Sequence, residues 1–285
     1  MMIMIGSTSH SNVQESNHQT GYHLAIHFTV KTSGIYRSGN QSDIHAILLG
    51  MLRDSEPLIS KKLHEHRSRK PWSFSRLFFD KASPVPGSSW VHVREGTAGH
   101  FFMNTMSSDV YTSIMEASMS RRKYRVNDID IELGDIDCDQ AFLDNMKPSR
   151  EVVMTFHSAT FFRDHDDEKK METLDPGKLI RFQCDALEKT GIATIDRDML
   201  AKHVVIVSQD TRRASGMVHE SGKDIVIYGF TGIVVLRCTS PDPAVQKDFA
   251  LVMAAMPYLG CGSRTSMGFG HCSVRLLDRS IRGLK

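Results

Sequence analysis

Gly260-Cys261-Gly262-Ser263-Arg264-Thr265-Ser266-Met267-Gly268-Phe269-Gly270 sets four glycines in an eleven-residue run near the C-terminal end. Glycine lacks a Cβ, so it adopts positive φ and lets another group come close to the backbone. Successive free N–H groups in such a loop can form a concave anion site. The flanks say what kind of loop this is. Before it, Asp242–Tyr258 opens with Asp-Pro and carries apolar residues at helical spacing; after it, His271–Leu277 reads as a strand. A glycine-rich turn therefore joins a helix to the last strand. The run is not a GxxxxGK[ST] phosphate loop, and no GxGxxG follows a first strand, which disfavours a dinucleotide-binding fold.

The rest of the second half supplies the elements that precede this turn. Val152–Phe156 is a strand running on toward Phe162, and Pro176–Lys189 is a helix with Leu179, Phe182 and Leu187 on its apolar side. His203–Ser208 and Ile225–Cys238 are strands, with Arg212-Arg213-Ala214-Ser215-Gly216 expected as the bend between them. The first half follows the same order. Tyr22–Lys31 alternates Leu24, Ile26, Phe28 and Val30 with more polar partners, as a half-buried strand does. Ser42 or Asp43 caps a helix over Asp43–Arg53, with Ile44, Ile47, Leu48, Met51 and Leu52 on one face. Pro57 opens a short helix over roughly Leu58–Glu65. Strands follow at Trp72–Phe79, Trp90–Val93 and His100–Thr105, then a helix from a Ser107 cap to about Met119. In Asp128–Leu133 acids and aliphatics alternate, giving a last strand. Phe101 and Phe102 are expected in the core, and no aromatic pattern for base stacking on an open sheet is visible.

Strand, helix, two or more strands, helix, strand is the split βαβ plan of a ferredoxin-like module. The fold class expected is α+β, with two tandem ferredoxin-like domains over 21–145 and 146–285. Residues 1–20 are expected to be a polar, poorly ordered tail.

The 285 residues suit two such modules, and 40% hydrophobic with 24% charged residues is ordinary for a globular chain. The net charge of +2 gives no bulk argument for nucleic-acid binding, but the charge is segregated. Lys61, Lys62, Arg67, Arg69, Lys70 and Arg76 face one acid, Glu65, within 61–76; residues 121–125 (RRKYR) form a second basic run; residues 128–139 carry six acids and no base. Such segregation allows a cationic face on a near-neutral protein. The five cysteines are widely spaced without a CxxC pair, and no HExxH occurs, so reduced thiols are expected and a metal site is not. No cofactor is expected. The absence of a long apolar run and of a basic, apolar leader points to a cytoplasmic protein with no membrane partner.

The glycine-rich loop, in its place before the terminal strand, resembles that of the RAMP superfamily of CRISPR-associated proteins. The segment KLHEHRSRKPWSFSRLFF, residues 62–79, resembles the CRISPR repeat-RNA processing endoribonucleases within it. Members show a short helix ending in Leu-His-Glu, a basic turn, and a strand beginning like Lys-x-Phe/Trp-Thr/Ser-x-Ser. Here these are Leu63-His64-Glu65, Lys70, and Trp72-Ser73-Phe74-Ser75. The preceding LLGMLRDSEPLISKK is similar to the family's first helix and connector. The resemblance covers roughly 22–277, with its specific motifs at the two ends.

The resemblance implies metal-independent RNA cleavage. A ribose 2′-hydroxyl attacks the adjacent phosphate, leaving a 2′,3′-cyclic phosphate and a 5′-hydroxyl, and guide RNAs result. That reaction needs a base, an acid, and a cation for the crowded phosphate. Histidine suits the first two because it titrates near neutrality. Lysine or arginine suits the third. His64 falls where the family motif has its histidine, and Lys70 is the candidate for the phosphate. His45, on the first helix, is the second histidine; branches of the family use a histidine in this region, some with a tyrosine whose position here reads Leu49. His66 is a weaker alternative, since residues i and i+2 of a helix point to different sides. RNA contacts are expected from Arg67 and Arg69 beside the site, from Arg212 and Arg213, and from Gly260, Gly262, Arg264, Gly268 and Gly270 of the loop. The implied partner is CRISPR repeat RNA, with effector-complex subunits and a second copy of the chain as further expected partners. The alternative function is a non-catalytic RAMP subunit that binds guide RNA in an effector complex.

Overall fold

A computed structural model describes residues 19–40, 42–58, 61, 70–120, 123–144, 146–163, 174–220 and 222–277. The tail expected over 1–20 lies almost wholly outside these residues, and the short helix expected over 58–65 lies mostly outside them.

The first strand, β1 (Thr20–Val30), buries Leu24, Ile26, Phe28 and Val30 and turns His23, Ala25 and His27 to the opposite face. After β2 (Gly34–Arg37), α1 (Ser42–Ser55) presents the expected stripe of Ile44, Ile47, Leu48, Met51 and Leu52 to the core. The single strand expected over 72–79 is two: β3 (Trp72–Phe74) and β4 (Phe78–Phe79). Ser75 makes the break. Its hydroxyl accepts the Phe102 N–H at 2.8 Å and donates to the Arg76 carbonyl at 2.8 Å, so a side chain takes over a ladder bond and the backbone turns away. Next come β5 (Ser83–Pro84), β6 (Trp90–Val93) and β7 (Ala98–Thr105). β6 does not join the main sheet; it pairs with β2 and β5 in a small sheet of three. α2 (Ser108–Ser120), β8 (Lys123–Val126) and β9 (Ile129–Phe142) complete this half. β9 outruns the expected 128–133 because β1 pairs with it as far as Thr20–Phe142. The main sheet has the order β3-β7-β1-β9-β8, with β4 also paired to β7, and the apolar faces of α1 and α2 close one core over it.

The second half comprises β10 (Glu151–Thr160), α3 (Pro176–Lys189), α4 (Arg197–Lys202), β11 (Val204–Glu220), β12 (Lys223–Cys238), α5 (Pro243–Leu259) and β13 (Cys272–Leu277). Asp175 and Asp242 cap α3 and α5, each followed by proline at the first helical position, where a missing N–H costs nothing. The sequence reading did not include α4; it has only six residues, capped by Asp196. The sheet order is β11-β12-β10-β13.

Arg212–Gly216 are not a bend. They lie inside β11, which pairs with β12 from Val204–Cys238 to Glu220–Lys223, and the turn comes only after Glu220. The sequence hid this because β11 is an edge strand whose middle is mostly exposed, so no apolar alternation marks it.

The two halves meet through the end of α5. The Pro257 carbonyl, one of the last-turn acceptors that a helix leaves unused, receives the Ser73 hydroxyl at 2.6 Å and the Asn104 amide at 2.9 Å. Gly21 faces the Tyr258 ring so closely that a Cβ would sit 2.4 Å from it. This contact lies on the face of the first sheet opposite α1 and α2. None of the described helices is long and apolar enough to cross a membrane.

Candidate functional site

Trp72 and Phe74 are fully buried on one face of β3, and each carries a candidate at its edge. The His45 ring stacks near Phe74, with centroids 6.5 Å apart and planes 24° from parallel. The Lys70 ammonium lies 5.7 Å from the Trp72 ring centroid. His45 and Lys70 thus lie beside two rings whose strand positions, two residues apart, are separated by about 7 Å. Partial burial lowers the Lys70 pKa. His64, Arg67 and Arg69, the other residues expected here, lie outside the described residues.

One residue that sequence reasoning took only as a cap candidate lies in the first turn of α1. The Asp43 carboxyl is pushed up to about 7 by burial, against a lowering hydrogen bond from Asn40, and its Oδ2 has no hydrogen-bond partner. The folded state therefore holds a proton between the ordinary carboxyl value of 3.8 and about 7 that the unfolded chain has lost. Stability must decline as pH rises through that window. Asp43→Asn removes this decline and stabilises the protein at pH 8 by on the order of 1–3 kcal/mol, discounted for partial exposure. Unfolding curves at pH 5 and pH 8 measure the effect, and parallel pH profiles for variant and wild type would contradict it.

A cavity of about 640 Å³ lies between the halves. The break after β3 contributes Ser75, Arg76 and Phe78; β10 to β12 contribute His157, Arg212 and Thr231; His271 closes one side. Arg76 lies 5.2 Å from the Phe78 centroid. His271 is buried, and its pKa is lowered to about 3 by that burial and then by His157 and His23, so the ring is neutral near pH 7. Its Nδ1 has no hydrogen-bond partner, and its ring centroid lies 5.4 Å from that of His157. Phe102 is not in the core with Phe101. It is half-buried on the opposite face of the first sheet, its centroid 5.1 Å from that of His100 and 6.0 Å from that of Phe78. The alternation of β7 fixes this: if Phe101 points at the helices, Phe102 cannot.

The glycine-rich loop packs against its own chain. Gly260, Gly262, Gly268 and Gly270 all have positive φ. The N–H groups of Gly260, Gly268 and Gly270 donate to the carbonyls of Met256, Thr265 and Ala159. Arg264, also at positive φ, pairs with Glu220 at 3.1 Å. The adjacent residues of β11 diverge: Arg212 lines the cavity, while Arg213 lies 4.5 Å from the exposed Tyr228 ring. Among the described residues, no three His, Cys, Asp or Glu side chains are grouped to hold a metal.

No family model and no curated protein matches the sequence. The fold does have solved counterparts. The product complex of a Thermus thermophilus Cas6 matches with a TM-score of 0.70 at 16% identity, covering 90% of this chain and 100% of its own. A RAMP protein described as binding different RNA substrates gives 0.64 at 16%, covering 90% and 100%. A Cas6-related protein of Pyrococcus furiosus gives 0.65 at 15%, covering 91% and 99%. The chain has the fold of Cas6-like RAMP proteins from end to end of its neighbours.

Proposed function

We propose that this chain is a CRISPR repeat-RNA processing endoribonuclease of the RAMP superfamily, cutting by 2′-hydroxyl attack without a metal. The observation that carries the reading is the fold likeness over nine-tenths of the chain to Cas6 and RAMP proteins described as product- or RNA-bound. The placing of His45 beside Phe74 and of Lys70 beside Trp72, on one face of β3, supports it. The sheet orders β3-β7-β1-β9 and β11-β12-β10-β13 run second, third, first, fourth strand in both halves, which supports two tandem ferredoxin-like domains.

His45 and His64 share the proton transfers. One takes the 2′-hydroxyl proton, and the other gives a proton to the departing 5′-oxygen. Lys70, whose ammonium is partly withdrawn from water, stabilises the extra negative charge on the phosphorane. Arg76 and Arg212 supply cations to the cavity, where RNA phosphates neutralise them, and Arg213, Arg264, Arg67 and Arg69 extend the track. Neutral His271 offers a hydrogen bond to a base edge. Arg212→Ala weakens binding of repeat RNA by a few-fold at moderate salt and lowers the slope of log K against log salt by about one; a titration series at several salt concentrations checks this.

The test of the reading is incubation of labelled host repeat RNA with the protein in EDTA. A single cut with a cyclic-phosphate end is expected. Tight binding with no cut over a range of pH would replace this reading with that of a non-catalytic guide-RNA-binding subunit.

A further inference from the structure

The tip of the β11–β12 hairpin runs on past the last β10–β12 pair, Thr160–Phe230, and lies against the start of α1. The Met217 N–H donates to the Gly39 carbonyl at 3.2 Å, and Met217 forms an isolated parallel bridge with Asn40. The His219 N–H donates to the Ser42 hydroxyl at 2.8 Å. Across the hairpin turn, Asp224 accepts from Arg37 at 2.8 Å and meets the His219 ring at 3.0 Å. On the other side Glu220 holds Arg264 of the glycine-rich loop. A small third core of Ala159, Phe161, Val218, Ile227 and Phe269 makes hairpin, loop and the end of β10 one unit. That unit belongs to the second half, yet its polar contacts converge on residues 37–42 of the first. Ser42 and His45 are three apart on a helix, hence neighbours on one side.

We propose that the hairpin tip is a clamp that positions the first turn of α1 for the reaction, with Asp224 as its positioning residue. Asp224 touches no reacting group. It fixes His219, whose N–H holds the Ser42 hydroxyl at the start of α1, and Arg37, five residues upstream of Ser42, and so sets where His45 stands. Arg212 lies five residues before Met217 on the same strand, so RNA gripped by the hairpin and the histidine on α1 are held by one rigid piece. The inference rests on the nuclease reading above. Side chains of Asp224 and Arg37 are 48% and 30% exposed, and ion pairs this exposed contribute little to global stability, so variants will fold.

The experiment compares Asp224→Ala, Asp224→Asn and Asp224→Glu in three measurements on the full chain: single-turnover cleavage of repeat RNA, equilibrium RNA binding, and amide hydrogen exchange of residues 42–48. A misplacement below one ångström at a catalytic group costs about tenfold in rate. The expected result is an approximately tenfold slower cut in the Ala and Asn variants, affinity within about twofold of wild type, faster exchange at 42–48, and recovery of most of the rate in Asp224→Glu. Cleavage and affinity falling together would make Asp224 an RNA contact and overturn the clamp. So would unchanged rate and exchange in Asp224→Ala beside an active wild type. A wild type that binds RNA but never cuts it would overturn the nuclease reading, and with it any role of the clamp in the reaction; the exchange arm separates that failure from a failure of the clamp alone.

Discussion

Gly270→Ala lowers the unfolding free energy by roughly 3–5 kcal/mol. Gly270 has a φ of +66°, and a Cβ there would sit 1.7 Å from the Cys261 carbonyl oxygen. The obstacle is backbone and cannot rotate away. The Cys261 N–H also donates to the Gly270 carbonyl at 2.8 Å, and the Gly270 N–H donates to Ala159 at 3.1 Å, so any shift breaks bonds on both sides. Left-handed strain accounts for about 1–2 kcal/mol, and overpacking with lost hydrogen bonds for the remainder. Gly39→Ala is the control. Its φ is +89°, but nothing lies within 4 Å of the added Cβ, so only the strain is incurred. Denaturant unfolding of both variants should separate them clearly, and equal losses would contradict this account of the loop.

His45→Ala slows RNA cleavage by about 10²–10⁴-fold while leaving RNA affinity within a few-fold of wild type. That is the span over which a positioned proton-transfer group acts. The half-buried ring sits beside Phe74 on β3, and in the proposed reaction it would act at the reacting oxygens, not in the grip on RNA. Lys70→Ala should slow cleavage by a comparable 10²–10³-fold, the usual consequence of removing a charge-stabilising donor. Rates at saturating protein give the comparison. If His45→Ala cuts at the wild-type rate, proton transfer rests on His64 and other groups, and α1 loses its place in the reaction.

Much of the fold was legible because periodicity carries it. The alternation of Leu24 to Val30, the stripe from Ile44 to Leu52, the Asp-Pro starts of α3 and α5, and the glycine run each have a local physical cause. What was missed lacked one. β11 is an exposed edge strand, so its polar run over 212–216 read as a bend. The division at Ser75 depends on a hydroxyl bonding a residue on another strand, and no window of sequence contains both. Phe102 beside Phe101 looked like core because two adjacent aromatics conceal a strand's alternation.

The site was legible only in part. His45 and Lys70 came from helix position and motif, and β3 brings their surroundings together. Arg76, His157 and His271 line one cavity although they come from three separate parts of the chain; His271 directly follows Gly270, the only local hint of its place. The glycines were read as a phosphate nest, and three of their N–H groups instead close the loop on its own backbone. Asp43 looked like an ordinary cap candidate, because its raised pKa arises from burial that only tertiary packing produces.

In the proposed reaction this protein cuts RNA with the substrate's own 2′-hydroxyl as nucleophile. The most direct measurement is cleavage, in EDTA, of host repeat RNA against the same RNA carrying a single 2′-deoxy nucleotide immediately 5′ of the cut. The deoxy substrate is expected to bind with unchanged affinity and remain uncut, while the all-ribose substrate yields a 2′,3′-cyclic phosphate and a 5′-hydroxyl. Cleavage of the deoxy substrate at the same bond, or products ending in 5′-phosphate, would contradict it.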